Sequence, residues 1–345
     1  MQPDLPKPRV TLRDVARRLN VSHTTISRAL RNDPEISKAM RERVQSIARE
    51  MGYKPDPMLN ALAHYRRSRN QTPVAAELAW INHWPNPKKL WSFKEFSLYW
   101  KGAFEEAERC GFRLEEFTLD NGMSLDRLGK ILHARNIRGI LLPPRGDTSP
   151  NYHQFDWDDF CIVRFGHSIP FPHAHLVSSD QLTDGLIAFE NMWTNGYRRI
   201  GLVTSSKMHT RFSAGFFFSQ MKWSPNTRLP ALVVTQDQTE QDEQLLKSWL
   251  RKNKPDAILT DVRELRDLLL KVGYKVPKNI GLAALSVLDG NADAGIDQNS
   301  EEIGRVAIQL LISLINHNEG GIPKICREVL VEGNWVNGST LPPKN

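Results

Sequence analysis

Between residues 22 and 31 the chain reads Ser-His-Thr-Thr-Ile-Ser-Arg-Ala-Leu-Arg, and the polar side chains His23, Thr24, Ser27, Arg28 and Arg31 recur at helical spacing. Ile26, Ala29 and Leu30 are left for the opposite side. Thr24, Arg28 and Arg31 stand at i, i+4 and i+7, so a helix presents them as one stripe. Donors arranged in this way suit the reading of base edges in a DNA major groove. An Arg fork matches O6 and N7 of guanine, a contact worth about 1–3 kcal/mol of discrimination. His23 and Thr24 lie at the start of the helix, where base contacts concentrate. The plain alternative is an ordinary solvated helix face, and the surrounding sequence decides against it.

The elements that must position this stripe are legible on both sides. Leu12, Val15, Ala16 and Leu19 form an i, i+3, i+4, i+7 apolar stripe, with Thr11 as a cap and Asp14 completing a capping-box-like pair. Asn20 ends that helix, since Asn tolerates the left-handed conformation of a C-cap. Ser22 caps the second helix almost at once, so the two form a helix-turn-helix. A third helix, capped by Ser37 and running to about Met51, supplies Met40, Val44, Ile47, Ala48 and Met51 to a three-helix core. Charge agrees with this placement. Residues 1–72 carry fifteen Lys and Arg against seven Asp and Glu, while the rest of the chain carries thirty-one against thirty-two. The net +7 is therefore confined to the N-terminal fifth, the footprint of a polyanion partner.

Beyond the helix-turn-helix, Asp56 is a good N-cap and Pro57 suits the first helical position, so a short helix is expected to begin there. Isolated helices under about 12–15 residues are marginal in water, so this one is expected to order only against a partner. Arg66, Arg67 and Arg69 suit either a DNA-facing segment or a plain linker.

At 345 residues the chain suits a small domain plus a large one. No run of eighteen apolar residues is present, and the proline-broken N-terminus lacks the apolar core of a secretory signal, so a cytoplasmic protein without membrane association is expected. Cys110, Cys161 and Cys326 lack metal-ligand spacing and read as buried small apolar residues in a reducing compartment. No phosphate loop, metal cluster or nucleophile motif appears, which argues against an enzyme, a metal site or a cofactor.

From Val74 onward short apolar segments alternate with amphipathic ones. Strands are expected at 77–81, 113–117, 139–142, 160–163, 200–204, 232–235, 257–260 and 280–285, with helices notably at 96–110, 180–195, 242–252 and 300–316. Such alternation predicts parallel sheets with helices on both faces, here two doubly wound subdomains with a cleft between them.

Val10-Thr11-Leu12-Arg13-Asp14-Val15-Ala16, Val21-Ser22-His23-Thr24-Thr25-Ile26-Ser27-Arg28-Ala29-Leu30, Arg41-Glu42-Arg43-Val44 and Gly52-Tyr53-Lys54-Pro55 resemble the DNA-binding domain of the lac repressor family. The resemblance implies base-reading roles for His23, Thr24 and Arg28 and phosphate contacts for Ser22, Ser37 and Tyr53. Thr11, Thr25, Ser27 and Arg31 complete the expected DNA-contacting set. It also implies a hinge helix that pairs with a dimer mate and drives Leu62 into the minor groove, kinking the duplex. Asn20 stands where the family usually has Gly, and Met40 where it usually has Thr.

Ser178-Ser179-Asp180-Gln181, Gly196-Tyr197-Arg198-Arg199-Ile200-Gly201, Pro255-Asp256-Ala257-Ile258-Leu259-Thr260, Val276-Pro277 and Ile303-Gly304 resemble the periplasmic-binding-protein-like effector domain of the same regulators. The expected organisation is an all-α helix-turn-helix domain at 1–55, a hinge at 56–73, and an α/β effector-binding and dimerisation domain at 74–345. That fold crosses three times between subdomains, expected near Val177, Ala294 and Lys324. This gives an N-subdomain of 74–177 and 294–324 and a C-subdomain of 178–293 and 325–345. Ligands of open parallel sheets bind at strand C-terminal ends. The candidates there are Asn82, His83, Trp84, Arg211, Asp261, Ser286 and Asp289, with Trp84 and Trp91 able to stack on a sugar face. The match is incomplete: Phe212, not Arg, stands three residues before Gly215-Phe216, and Ser286-Val287 replaces the family's acidic pair.

The function so implied is a transcriptional repressor that binds a pseudo-palindromic operator in double-stranded DNA as a homodimer. A small-molecule effector of carbohydrate type in the cleft would control it. The alternative is a constitutive DNA-binding regulator whose large domain only dimerises.

Overall fold

The computed structural model describes residues 10–30, 33, 35–51, 53, 76–119, 123–146, 151–205, 210–235 and 239–344. Arg31, Leu62 and the hinge expected at 56–73 lie outside these residues.

The helical domain consists of α1 (Leu12–Leu19), α2 (His23–Leu30) and α3 (Lys38–Glu50). Val15, Ala16, Ile26, Ala29, Val44 and Ala48 form its buried core, with Leu12, Leu19, Leu30, Met40, Ile47, Met51 and Tyr53 packed around them. Asn20 takes the left-handed conformation at φ 54°, as expected of a C-cap without glycine.

The large domain holds two six-stranded sheets. In the first, β1 (Ala76–Asn82), β2 (Phe112–Thr118), β3 (Gly139–Leu142), β4 (Cys161–Phe165) and β5 (His175–Ser179) are joined by a late strand, β11 (Glu328–Val331), in the order β11-β5-β4-β3-β1-β2. Every pairing in it is parallel. The second runs β12-β10-β9-β8-β6-β7. It is built from β6 (Ile200–Ser205), β7 (Leu232–Val234), β8 (Ala257–Thr260), β9 (Gly281–Ala284), β10 (Gly295–Asp297) and β12 (Asn334–Val336). Only β12 is antiparallel to its neighbour.

Parallel strands need both faces covered, and the residue alternation supplies two apolar faces. Along β1, Leu78 and Trp80 enter one core while Ala79 and Ile81 enter the other. Along β8, Ala257 and Leu259 face one core and Ile258 the other. On the first sheet, α5 (Lys94–Arg109), preceded by the short α4 (Pro87–Trp91), packs against α11 (Ser300–His317). They touch backbone to backbone. A Cβ on Gly102 would lie 1.9 Å from the Glu301 carbonyl oxygen, and one on Gly304 would lie 2.0 Å from that of Tyr99. The second sheet repeats the device with α7 (Gln181–Thr194) and α8 (Thr210–Trp223), where a Cβ on Gly215 would lie 2.1 Å from the Leu182 carbonyl oxygen. The opposite faces carry α6 (Leu125–Ala134) on the first sheet, and α9 (Glu240–Asn253) and α10 (Leu265–Lys271) on the second.

The eight expected strands are present, with ends shifted by at most two residues. The structure adds β5, β10, β11 and β12; β10 and β12 have three residues each, and β11 pairs with β5 from far along the chain. Those additions move the crossings. β5 keeps the chain in the first sheet through Ser179, two residues past Val177. β10 is bonded within the second sheet, so the second crossing falls at Gln298–Asn299, not near Ala294. β11 pairs with β5 in the register Glu328↔Leu176, so the third falls at Glu332–Gly333, not near Lys324.

Candidate DNA-reading helix and effector cleft

The local chemistry of α1 to α3 positions the reading stripe. The Thr11 N–H and hydroxyl both donate to Asp14 Oδ2, at 2.9 and 2.6 Å, and hold that carboxyl below its ordinary range. Ser22 Oγ accepts from the Thr25 N–H at 3.0 Å and meets the Thr25 hydroxyl at 2.8 Å, and Ser37 Oγ accepts from the Met40 N–H at 3.3 Å. Ser22 and Ser37, expected at phosphates, thus also serve as caps at the start of α2 and α3. Burial of Ile26 and Ala29 turns His23 and Thr24 outward, where they are exposed, with Thr25 and Ser27 half-buried at the flank. Tyr53 packs against the three-helix core.

Arg28 is placed differently from a free reader. Its Nε donates to Asp33 Oδ2 at 2.8 Å, and its Nη2 reaches Asp33 Oδ1 at 3.4 Å and pairs with Glu35. The pairing raises the Arg28 pKa and lowers that of Asp33. Neither acid belongs to the helical stripe, and sequence reasoning did not single them out. The available signal was their position, two of only seven acidic residues in a strongly basic segment.

In the large domain the expected ligand-contacting residues divide into two kinds. Several are spent on the protein itself. The Asn82 Nδ2 donates to Glu116 Oε1 at 2.7 Å and to the Pro87 carbonyl at 3.2 Å, while its Oδ1 accepts from the Trp84 N–H at 3.2 Å. Trp84 is 4 % exposed, donates from Nε1 to the Pro144 carbonyl at 2.8 Å, and packs on Phe93 and Phe96. Trp91 likewise stacks on Trp80 and donates to Glu116. Asp261 accepts from the Ser205 N–H and hydroxyl at 2.8 and 3.0 Å. Arg211 is half-exposed beside Glu328 at 3.9 Å.

Asp289 bridges the two units. Phe93, the N-cap of α5, has no side chain able to cap it. The Asp289 carboxylate does so from the other sheet's loop, accepting from the Lys94 and Glu95 N–H groups at 2.8 and 3.1 Å. Arg263 completes the knot, 3.4 Å from Asp289 and 3.8 Å over the Phe93 ring. Desolvation there pushes the Glu95 carboxyl up to about 7, and it accepts from the Tyr99 hydroxyl at 3.0 Å.

Other polar groups remain unsatisfied among the described residues. Both His83 ring nitrogens, the Tyr152 hydroxyl and the Ser286 hydroxyl are buried without a hydrogen-bond partner there. The His83 and Tyr152 rings meet edge to face at 5.7 Å, and burial drops the His83 pKa to about 4, so its ring is neutral. His83 and Ser286 are therefore the expected contacts whose polar atoms are still available. A separate cavity of about 530 Å³ opens between α5 and the start of α11, lined by Glu105, Glu106, Arg109, Ser300, Glu301 and Arg305 among others, and includes none of the seven expected residues.

The crossings are tied to one another. The Asp180 N–H donates to the Val331 carbonyl at 2.8 Å, Asn299 Nδ2 donates to the Glu332 carbonyl at 2.8 Å, and the Gly333 N–H donates to Asp184 Oδ1 at 3.0 Å. Burial pushes the Asp184 carboxyl up to about 7.

Comparison with known proteins meets this division of the chain. The family model for bacterial regulatory proteins of the lacI family matches residues 11–56, and that for the periplasmic binding protein-like domain matches residues 189–340. The transcriptional regulator MalR of Streptococcus pneumoniae is 23% identical over 335 residues, 93% of this chain and 97% of the relative. Among solved structures, a CelR–cellobiose complex superposes with a TM-score of 0.59 at 18% identity, covering 96% of this chain and all of that one. The lac repressor dimer bound to operator and the anti-inducer ONPF gives 0.53 at 15% identity, covering 97% and 100%. At such identities these structures speak for the fold, which they share across the helical domain and both sheets. No helix among the described residues is long and apolar enough to cross a membrane. With the two family matches falling on the two parts that the fold itself separates, the chain joins a DNA-binding domain of the lacI family of bacterial regulatory proteins to a periplasmic binding protein-like domain and is a DNA-binding transcriptional regulator rather than an enzyme.

Proposed function

We propose that this regulator is a cytoplasmic repressor that binds a pseudo-palindromic operator as a homodimer and is controlled by a small carbohydrate held between the two sheets of its large domain. The observation that carries the DNA half is the exposed start of α2, where His23 and Thr24 project from a helix fixed by caps and core, in the segment that holds the whole positive excess. Thr11, Ser22, Thr25, Ser27, Arg28, Arg31, Ser37 and Tyr53 complete the contact set, and Leu62 acts as the minor-groove wedge. Operator symmetry then mirrors the two-fold symmetry of the dimer. Support for the dimer and for a sugar comes from the lac repressor dimer on its operator and from the cellobiose-bound CelR structure.

In the cleft, His83, Tyr152 and Ser286 supply the unsatisfied polar groups, since a buried donor or acceptor without a partner costs about 1–3 kcal/mol that a ligand hydroxyl would recover. A ligand that binds one arrangement of the two sheets better than the other shifts the hinge between DNA-competent and incompetent states.

A second reading, a constitutive DNA-binding regulator, is favoured by the saturation of Asn82, Trp84, Asp261 and Asp289 by protein partners. A thermal-shift screen against mono- and disaccharides separates the two: stabilisation by one sugar class, lost in His83→Ala, supports effector control, and a flat screen supports the constitutive reading. Genome-wide mapping of bound DNA tests the operator half, with a two-fold symmetric motif expected. Binding without a motif would remove sequence specificity. Arg28→Ala is expected to relax base preference at one position of each half-site, by about tenfold.

A further inference from the structure

We propose that Asp33 and Glu35 form an acidic clamp that sets how Arg28 discriminates bases, with Asp33 as a standing buttress and Glu35 as an internal competitor for the guanine acceptors. The inference rests on the proposed role of Arg28 at a base.

A guanidinium has five N–H donors in a fixed plane. In this chain Nε donates to Asp33 at 2.8 Å, and Nη2 is divided between Asp33 at 3.4 Å and Glu35. Nη1 has no recorded partner among the described residues. Guanine offers O6 and N7 as two adjacent acceptors, so an end-on contact takes one N–H from Nη1 and one from Nη2. That contact is compatible with Asp33 staying on Nε. It is incompatible with Glu35 keeping Nη2.

Burial and anchoring decide which acid yields. The Asp33 side chain is 29 % exposed and the Glu35 side chain 75 %. Asp33 is held by its own backbone, with its N–H donating to the Arg28 carbonyl at 3.0 Å and its Oδ1 accepting from the Glu35 N–H at 3.0 Å. Glu35 is a solvent-facing carboxylate whose ion pair is weak and exchangeable. Facing a guanine, Arg28 trades Glu35 for O6 and N7 while Asp33 keeps the fork aimed. Facing another base, Arg28 stays on Glu35, its donors satisfied and nothing gained. The cost of releasing Glu35 therefore falls only on the complex that uses Arg28.

The test uses the full chain. Selection from a random-sequence duplex pool gives the preferred site, and competition binding then compares that duplex with one in which each guanine is replaced in turn. The proteins are wild type, Glu35→Gln, Asp33→Asn, Arg28→Ala and the double variants with Arg28→Ala, each checked for helicity and thermal unfolding. Glu35→Gln should tighten binding to the preferred duplex about two- to fivefold, with a smaller change on the duplex lacking the guanine read by Arg28. Asp33→Asn, which keeps an acceptor for the Glu35 N–H, should shrink the ratio between those duplexes about threefold or more. In the Arg28→Ala background both effects should disappear, because a double-mutant cycle isolates the coupling. An equal gain on both duplexes, or one that persists without Arg28, would mean general charge removal and overturn the clamp. Should Arg28→Ala alter discrimination while the acid variants behave as wild type, the clamp alone falls. Unaltered discrimination in Arg28→Ala, or a pool that yields no motif, removes the base-reading role and the clamp together.

Discussion

The helix-turn-helix and the proposed effector cleft use the same kinds of side chain to opposite ends. In the former, Ser22 and Ser37 cap helices whose apolar faces make the core, and His23 and Thr24 are left with their polar atoms in solvent. In the latter, Asn82, Trp84, Asp261 and Asp289 turn their polar atoms onto the protein, and only a few buried groups such as His83 and Ser286 stay unpaired. A polar residue at the C-terminal end of a strand is thus a ligand contact only if the fold has not already claimed its hydrogen bonds. On the outside of the short α2, His23 and Thr24 meet no such competition among the described residues, whereas Arg28 meets it from Asp33 and Glu35.

The sharpest way to break the comparison is to damage one region and watch the other. Gly102→Val places a branched side chain into the Glu301 carbonyl of α11. We expect a loss of about 3 kcal/mol or more in urea unfolding, confined to the large domain, with the helical domain's own transition unchanged. Conversely, Ile26→Ala opens a cavity in a small core, with six buried residues among those described, at a cost of about 3 kcal/mol. DNA binding should vanish while the large domain keeps its melting temperature.

A smaller effect comes with pH. Asp184 has a folded pKa of about 7 against an ordinary 3.8, so folding favours its protonated form. Its stabilising contribution is complete below pH about 4 and is lost as pH rises through about 7. Asp184→Asn should flatten the stability profile between about pH 4 and 7 and add on the order of 2 kcal/mol at pH 8. Glu95, also raised to about 7, should account for the residual slope. A profile unchanged by Asp184→Asn would place the titration elsewhere. Smallest is Asp289→Ala, which removes the cap supplied to α5 from the other unit. It should cost about 1 kcal/mol and increase the radius of gyration in small-angle scattering by loosening the two sheets.

The helical domain was legible nearly to the residue because its signals are local: an apolar stripe, a cap at Thr11, Ser22 and Ser37, and an Asn at the left-handed end of α1. Among the eight expected strands, the central ones were legible for a related reason, since a strand buried on both faces needs a continuous apolar run such as Gly139–Leu142. Strands β10 and β12 have three residues each and exist only because a distant segment offers them hydrogen bonds, so no window of sequence could place them or the crossings they fix. Side-chain partnerships were the least legible. Nothing in the spacing of Asp33 or Asp289 announces an Arg five residues back or a helix some 195 residues away.

The glycine contact between α5 and α11 carries a consequence for how the protein is made. The first sheet begins at residue 76, yet its edge strand lies at 328–331 and the helix that seals its face at 300–317. All five parallel strands of the second sheet lie within 200–297, with only the antiparallel edge arriving later. As the chain emerges from the ribosome, the unit that starts first is therefore the last to complete its parallel strands. Its exposed face must be sheltered through the synthesis of more than half the polypeptide.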